Sequence, residues 1–333
     1  MNYQFKKFLI FIFIYFIFFN NFIHAKDVNN FKKYEDELGN MVEELVYKYK
    51  IDQDYAIKIL NSIEFKDKIL KIMANAPERK DTWQEYKSKY LTSERIRLGR
   101  KYLNDNYTLL KQIQNNYGVP AEVIVAFLGV ETNYGQYTGN YKILNVLGTL
   151  ALKHPNRNKF FKEQLKNFII LTYRNKLNYN NLYGSYAGAM GLPQFMPDNY
   201  IKLAVDYDGD GNTDLWNSKA DIYASIANFL KNYGWQTEEK IYSNIKIDEK
   251  YYKEIFKEGD VKTVFINQKN IHKYNLPKNK ILDKNYLILL SKKSNIYYIG
   301  YTNFKVIMRY NPSTFYAMVV TKLSEEIVST NNE

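Results

Sequence analysis

The 333-residue sequence contains no cysteine and only three histidines, His24, His154 and His272. Without cysteine there is no disulfide framework, thiolate nucleophile, Cys-ligated zinc, iron–sulfur cluster or lipid-anchored N-terminal Cys. So few histidines argue against a Ser/His/Asp triad or a His-rich metal site. No basic run of five or more residues concentrates charge, and there is neither an internal repeat nor a low-complexity linker. No apolar run approaches the roughly 20 residues of a membrane span. Chemistry in this chain therefore falls to carboxylates, hydroxyls and amides.

What is present is a folded protein. Hydrophobic residues make up 46% of the chain, enough to bury a substantial core, and the length suggests about two domains. Residues 1–25 are a separate object. Lys6 and Lys7 precede an apolar run from Phe8 to Phe19, and Ile23-His24-Ala25 ends on a small residue. This is the layout of a secretory signal cleaved after Ala25, with retention as an anchor the alternative. Removing Lys6 and Lys7 from the 47 basic residues leaves 45 against 35 acidic, a net charge of +10. Such a surface attracts anionic polymers, although abundant Lys, Asn, Ile and Tyr throughout the chain read equally as compositional bias. Export disfavours nucleic acid as the partner.

The texture of the chain divides the remainder. Residues 26–117 are charged with apolar residues at helical spacing, as in Met41, Leu45 and Tyr49, and are expected to be helical. Residues 118–240 hold the densest motifs. Residues 241–323 carry stretches rich in Ile, Val and Tyr, and Lys262 to Asn267 and Tyr286 to Ile307 read as strands. Residues 324–333 turn polar and are expected to fray.

The most informative helix starts at Pro120, with Glu122 in its first turn. Val123, Ile124, Val125, Ala126, Phe127, Leu128 and Val130 leave it no polar face, and a helix apolar all round is buried. Glu131 stands at its far end, before Thr132-Asn133-Tyr134-Gly135. Poor hydration and the negative end of the helix dipole would both raise its pKa, as a general acid requires. Nine residues separate it from Glu122, which puts the two on opposite faces. A helix-end glutamate reaching solvent fits the same pattern.

Two further constellations follow. Between Ser185 and Pro197 the sequence SYAGAMGLPQFMP packs small residues densely, allowing close backbone approach, and Ser185 and Gln194 offer a hydroxyl and an amide. A tight turn with incidental polar groups is the plainer reading. The run Asp206-Tyr207-Asp208-Gly209-Asp210-Gly211-Asn212-Thr213-Asp214 has carboxylates at relative positions 1, 3 and 5 and Gly at 6, the pattern of an EF-hand Ca²⁺ loop. Asn217 occupies the twelfth position, so Asp221 is the expected closing ligand of a lengthened loop, with Asp206, Asp208, Asp210 and Asn212. A solvated acidic turn is the alternative.

Together these stretches resemble the lytic murein transglycosylase B family. The resemblance rests on VPAEVIVAFLGVETNYG (119–135), on Ser185 to Pro197, on DYDGDG running on to Leu215-Trp216, and on RYNPSTFYA (309–317). It extends from about Trp83 to Leu323. It implies an α+β, mainly helical fold: a lysozyme-like catalytic core with an EF-hand-like calcium loop, a helical N-terminal region and a small β-containing C-terminal region. It implies cleavage of the β-1,4 bond between N-acetylmuramic acid and N-acetylglucosamine in peptidoglycan. The muramic C6 hydroxyl attacks C1 and leaves a 1,6-anhydro end. A single glutamate serves as acid and then base, and Glu131 matches it, which accounts for the missing second carboxylate of ordinary glycosidases.

The resemblance also assigns substrate contacts to Ser185, Gln194, Tyr310 and Asn311, an aromatic subsite wall to Tyr86, and a peptide-stem contact to Arg157. Phe229 stands where a cleft tyrosine is frequent, Asn156 where a second arginine is often found, and Leu192 at a frequently polar position. The expected partners are peptidoglycan strands and cell-wall enzymes, and the expected state is a periplasmic monomer without a lipid anchor. A muramidase that hydrolyses the same bond, and a non-catalytic, calcium-dependent wall-binding protein, are the rival readings.

Overall fold

The computed structural model describes residues 34–75, 81–245, 262–266, 285–289 and 297–329. The proposed signal segment lies outside them. The described residues form two compact units that are not contiguous in sequence: those up to 70 with 142–182, and those of 71–141 with those from 183 onward. The linear division at 117/118 does not coincide with these units, because a helical hairpin inserted after residue 142 packs with the first helices.

In the first unit, α1 (Glu35–Tyr47) and α2 (Gln53–Asn61) lead to α3 (Asp67–Ala74), which begins at its end. α1 buries Leu38, Met41, Val42 and Leu45, the helical spacing expected of it. The inserted hairpin comprises α8 (Ile143–Lys153) and α9 (Asn158–Arg174), and α9 packs on α1 and α2. Two polar residues on buried α8 have defined work. Asn145 Oδ1 accepts the Glu64 N–H at 3.0 Å, and Thr149 Oγ1 accepts that of Lys66 at 2.9 Å. They satisfy backbone donors just before α3, which would otherwise cost about 1–3 kcal/mol each if buried unpaired.

The second unit is built around α7 (Ala121–Thr132), every residue of which is buried except Glu122 and Glu131. Pro120 stands one place before the first helical residue, and its carbonyl accepts the Val123 and Ile124 N–H groups. Around α7 pack α5 (Ser93–Asp105), α6 (Tyr107–Tyr117), α11 (Lys219–Asn232) and α13 (Thr314–Val328); α13 also meets α4 (Trp83–Tyr90) and α12 (Thr302–Tyr310). The short α10 (Pro197–Leu203) lies on α11. Gly99 on α5 and Gly129 on α7 make room for Tyr134: a Cβ on either would lie 2.4 Å or 2.7 Å from its hydroxyl. Both glycines are therefore close-approach positions.

A four-stranded antiparallel sheet completes the unit: β1 (Tyr242–Ile245), β2 (Lys262–Ile266), β3 (Asn285–Leu289) and β4 (Tyr297–Gly300), in spatial order β1-β4-β3-β2. Tyr242 and Tyr286 both stand opposite Gly300. The expected strand from Tyr286 to Ile307 is corrected at its end. Residues 302–310 are helical, and Asn303, Phe304, Val306 and Ile307 are buried at helical spacing. The polar tail is also shorter than expected. α13 runs to Val328, Ser324 and Ile327 are buried, and Arg100 donates to the Glu326 carbonyl at 3.0 Å.

Candidate active site

Glu131 is the penultimate residue of α7 and partly exposed, directly after the buried run from Val123 to Val130. The chain then turns sharply. Asn133, Tyr134 and Gly135 have φ of 49°, 61° and 91°, and left-handed backbone at two non-glycine residues persists only where surroundings enforce it. Here they do. The Tyr134 N–H reaches the Leu128 carbonyl at 3.0 Å, and the Gly135 N–H reaches Thr132 Oγ1 at 3.0 Å. Arg95 Nε donates to Asn133 Oδ1 at 3.1 Å, and the Tyr134 hydroxyl donates to the Arg95 carbonyl at 2.8 Å.

The Tyr316 hydroxyl donates to Glu131 Oε1 at 2.5 Å. Tyr316 is buried on the first turn of α13, capped by Ser313. Burial, then the negative charge of Glu131, pushes its pKa well above the ordinary tyrosine value, so it remains a donor at neutral pH. Tyr310, the last residue of α12, is shifted the same way for the same reasons. Its hydroxyl donates to the Pro193 carbonyl. Its ring rests on Phe127 and Phe229, each 4.7 Å between centroids, and on Phe195 at 5.7 Å. Sequence reasoning included Tyr316 within RYNPSTFYA without giving it a role. One tyrosine among 32 carries no signal of its own.

The Ser185–Pro197 segment docks beside this helix end. Thr132 Oγ1 donates to the Leu192 carbonyl at 3.3 Å. Ser185 Oγ accepts the Ala187 and Ala189 N–H groups at 3.3 Å and 3.0 Å, and its own O–H has no acceptor among the described residues. Gln194, at φ 52°, commits Nε2 to the Thr138 and Gly191 carbonyls at 3.0 Å and 2.8 Å. Its Oε1 has no donor among the described residues. Ser185 thus offers a donor and Gln194 an acceptor, a more definite division than composition allowed. Asn311 caps α12, its side chain without a partner among the described residues.

Two expectations are corrected by burial. Phe229 is 1% exposed, wedged between Tyr310 and Tyr233, and supports Tyr310 from behind. Tyr86 is 3% exposed, its ring against Phe315 and Tyr90, so it is no open subsite wall. Its hydroxyl lies near enough to that of Tyr316 to help raise the latter's pKa. Arg157 belongs to the other compact unit, where its guanidinium lies over the Phe160 and Phe161 rings at 4.7 Å and 5.2 Å.

In the acidic loop, carboxylate oxygens of Asp206, Asp208 and Asp210 lie within 4.8 Å of one another. Asp206 also accepts the Gly209 and Gly211 N–H groups at 2.8 Å and 2.9 Å, and Asp208 the Ser218 hydroxyl at 2.8 Å. Convergent hard oxygens of this kind suit Ca²⁺. Asn212 lies on the same exposed loop. Asp221 is corrected: fully buried, it spends one oxygen on the Tyr207 N–H and the other on that of Asp214, both at 2.8 Å. It braces the two limbs of the loop and stands outside the three-carboxylate cluster.

A mainly helical scaffold with an acid at the end of its central buried helix defines a lysozyme-like fold. Residues 33–325 match the family described as Transglycosylase SLT domain. The chain belongs to that family. It is 30% identical over 307 residues to membrane-bound lytic murein transglycosylase B of Escherichia coli K12, covering 86% of this chain and 81% of the relative. Among solved structures, soluble lytic transglycosylase SltB1 of Pseudomonas aeruginosa superposes with a TM-score of 0.78 at 32% identity, covering 87% of this chain and 98% of that one. Lytic transglycosylase Slt35 of Escherichia coli, in complex with calcium, gives 0.76 at 29% identity, covering 87% and 92%.

Proposed function

We propose that this chain is a peptidoglycan lytic transglycosylase in which Glu131 alone acts as acid and base. The contact between Glu131 and the buried Tyr316 hydroxyl carries the reading, with family membership behind it. Protonated Glu131 gives its proton to the departing glycosidic oxygen as the bond to muramic C1 breaks. The Tyr316 O–H then stabilises the carboxylate left behind and holds its orientation, a charge-assisted hydrogen bond worth about 1.5–3 kcal/mol. The carboxylate next takes the proton of the muramic C6 hydroxyl as that oxygen closes on C1. This restores the acid and consumes no water. Ser185 O–H and Gln194 Oε1 present one donor and one acceptor to sugar hydroxyls and N-acetyl groups, and the Asn311 amide offers both.

The same reading assigns a structural Ca²⁺ to Asp206, Asp208 and Asp210 with Asn212. It is supported by the convergence of the three carboxylates and by the calcium complex of Slt35. The ion would neutralise the clustered negative charge and stiffen the loop leading into α11. Export to the periplasm is supported by the basic, apolar and small-residue layout of residues 1–25. Among the described residues no helix is long and apolar enough to cross a membrane.

Mass spectrometry of purified peptidoglycan digested by the chain tests the reaction. The expected products carry anhydromuramic ends, lighter by one water than hydrolysed ends. Glu131→Gln is expected to abolish them while folding and wall binding persist. Reducing ends would make the enzyme a hydrolase, and a Glu131→Gln variant as active as the parent would remove Glu131 from the chemistry.

A further inference from the structure

Tyr137 is 72% exposed and Tyr183 43% exposed, and neither ring meets another ring or a cation among the described residues. Both rings present a large part of their surface to solvent. Their location is specific. Tyr137 follows Glu131 by six residues in a turn pinned at several points. Its own N–H reaches the Thr132 carbonyl at 2.9 Å, Asn133 Nδ2 donates to Gln136 Oε1 at 2.7 Å, and Gln194 Nε2 holds the Thr138 carbonyl. Two residues on, Gly139 presses against the backbone just after Tyr183: a Cβ there would lie 2.1 Å from the Gly184 carbonyl oxygen and 2.6 Å from the Ser185 nitrogen. The two tyrosines therefore sit on adjoining backbone, next to Ser185 and to the Thr138 carbonyl that Gln194 Nε2 holds.

We propose that Tyr137 and Tyr183 form a stacking subsite for a pyranose ring of the glycan strand, on the rim of the Glu131 site. This rests on the glycan-cleaving reading above and extends it to a residue pair that sets strand affinity. A pyranose presents an apolar C–H face that stacks on an aromatic ring, and Tyr supplies that ring with only two side-chain torsions to immobilise. A rigid turn lowers the ordering cost further. Rings beside the hydrogen-bonding pair would hold the next sugar in register with the bond to be broken.

The test measures binding of purified, peptide-free glycan strands to the full chain carrying Glu131→Gln, so that no cleavage occurs. Adding Tyr137→Ala is expected to raise Kd about tenfold with little change in melting temperature, since the side chain is mostly exposed. Tyr183→Ala is expected to act in the same direction. Tyr137→Phe retains the affinity, whereas Tyr137→Leu, apolar but without a ring face, does not. Parental affinity in the alanine variants, or equal affinity for Leu and Phe, overturns the subsite. The two readings fail separately. Tyr137-dependent binding by a chain that yields no anhydro ends would keep the subsite and remove the transglycosylase, and anhydro ends with Tyr137-independent binding would do the reverse.

Discussion

At the scale of single residues, the helix-end position of Glu131 was legible and its contact with Tyr316 was not. Glu131 stands out because it ends a helix with no polar face, a pattern readable from the identities of eight neighbours. Tyr316 gains its role only because α13 brings it against α7, 185 residues away in sequence. Removing its hydroxyl by Tyr316→Phe forfeits one charge-assisted bond, so kcat should fall about ten- to a hundredfold with KM little changed. Because Glu131 is partly exposed, water can replace the lost donor and the melting temperature should hold within a few degrees. A parental kcat in steady-state assays would show that the contact does nothing for the reaction. Phe229 and Tyr86 illustrate the converse error. Both lie at positions the resemblance marks as cleft-lining, yet each is packed against other rings.

Among elements, the loop from Asp206 to Asp221 separates what a motif can and cannot say. Alternating carboxylates imply convergence, and Asp206, Asp208 and Asp210 do converge. Which oxygen closes the set depends on the path of the chain into α11, and there Asp221 accepts two backbone N–H groups instead. The two roles predict different behaviour. Asp208→Ala should abolish the rise in melting temperature on adding Ca²⁺ while changing little in chelator, since its removal leaves unmade only two exposed contacts, from the Ser218 hydroxyl and the Asp210 N–H. Asp221→Ala should destabilise by about 2–5 kcal/mol even in chelator, because two part-buried N–H groups lose their acceptor. Thermal unfolding of both variants with and without millimolar Ca²⁺ distinguishes them, and a parental Ca²⁺ response in Asp208→Ala would dismiss the ion site. The helix at 302–310 makes a related point. Residues rich in Ile, Val and Phe suit a strand by propensity, but their buried positions fall at helical spacing and packing against α13 decides the matter.

For the whole molecule, the abundance of tyrosine becomes a property. Burial pushes the pKa of Tyr134, Tyr200, Tyr223, Tyr310 and Tyr316 above the ordinary value. Folded protein therefore holds these protons more tightly than the unfolded chain. Below about pH 10, where both states are protonated, this contributes no pH dependence; above it the unfolded chain releases protons first and stability falls. Urea midpoints should be level from about pH 8 to 9.5 and drop beyond about pH 10, with phenolate absorbance rising as the fold is lost. A midpoint unchanged to about pH 11 would contradict the burial of these hydroxyls.

The amino-acid sequence by itself determined the local matters: that a wholly apolar helix must be buried, that Glu131 stands at its end, that carboxylates alternate on a tight loop, and that the described residues between 34 and 117 are mainly helical. These follow from periodicity, capping and side-chain chemistry within a dozen residues. Tertiary structure decided everything that depends on distant segments meeting. It placed the Tyr316 hydroxyl on Glu131, committed Gln194 Nε2 and left Ser185 its proton, turned Phe229 and Tyr86 inward, and gave Asp221 to the backbone. Hydrogen bonds and burial are pairwise facts, and neither partner alone encodes them.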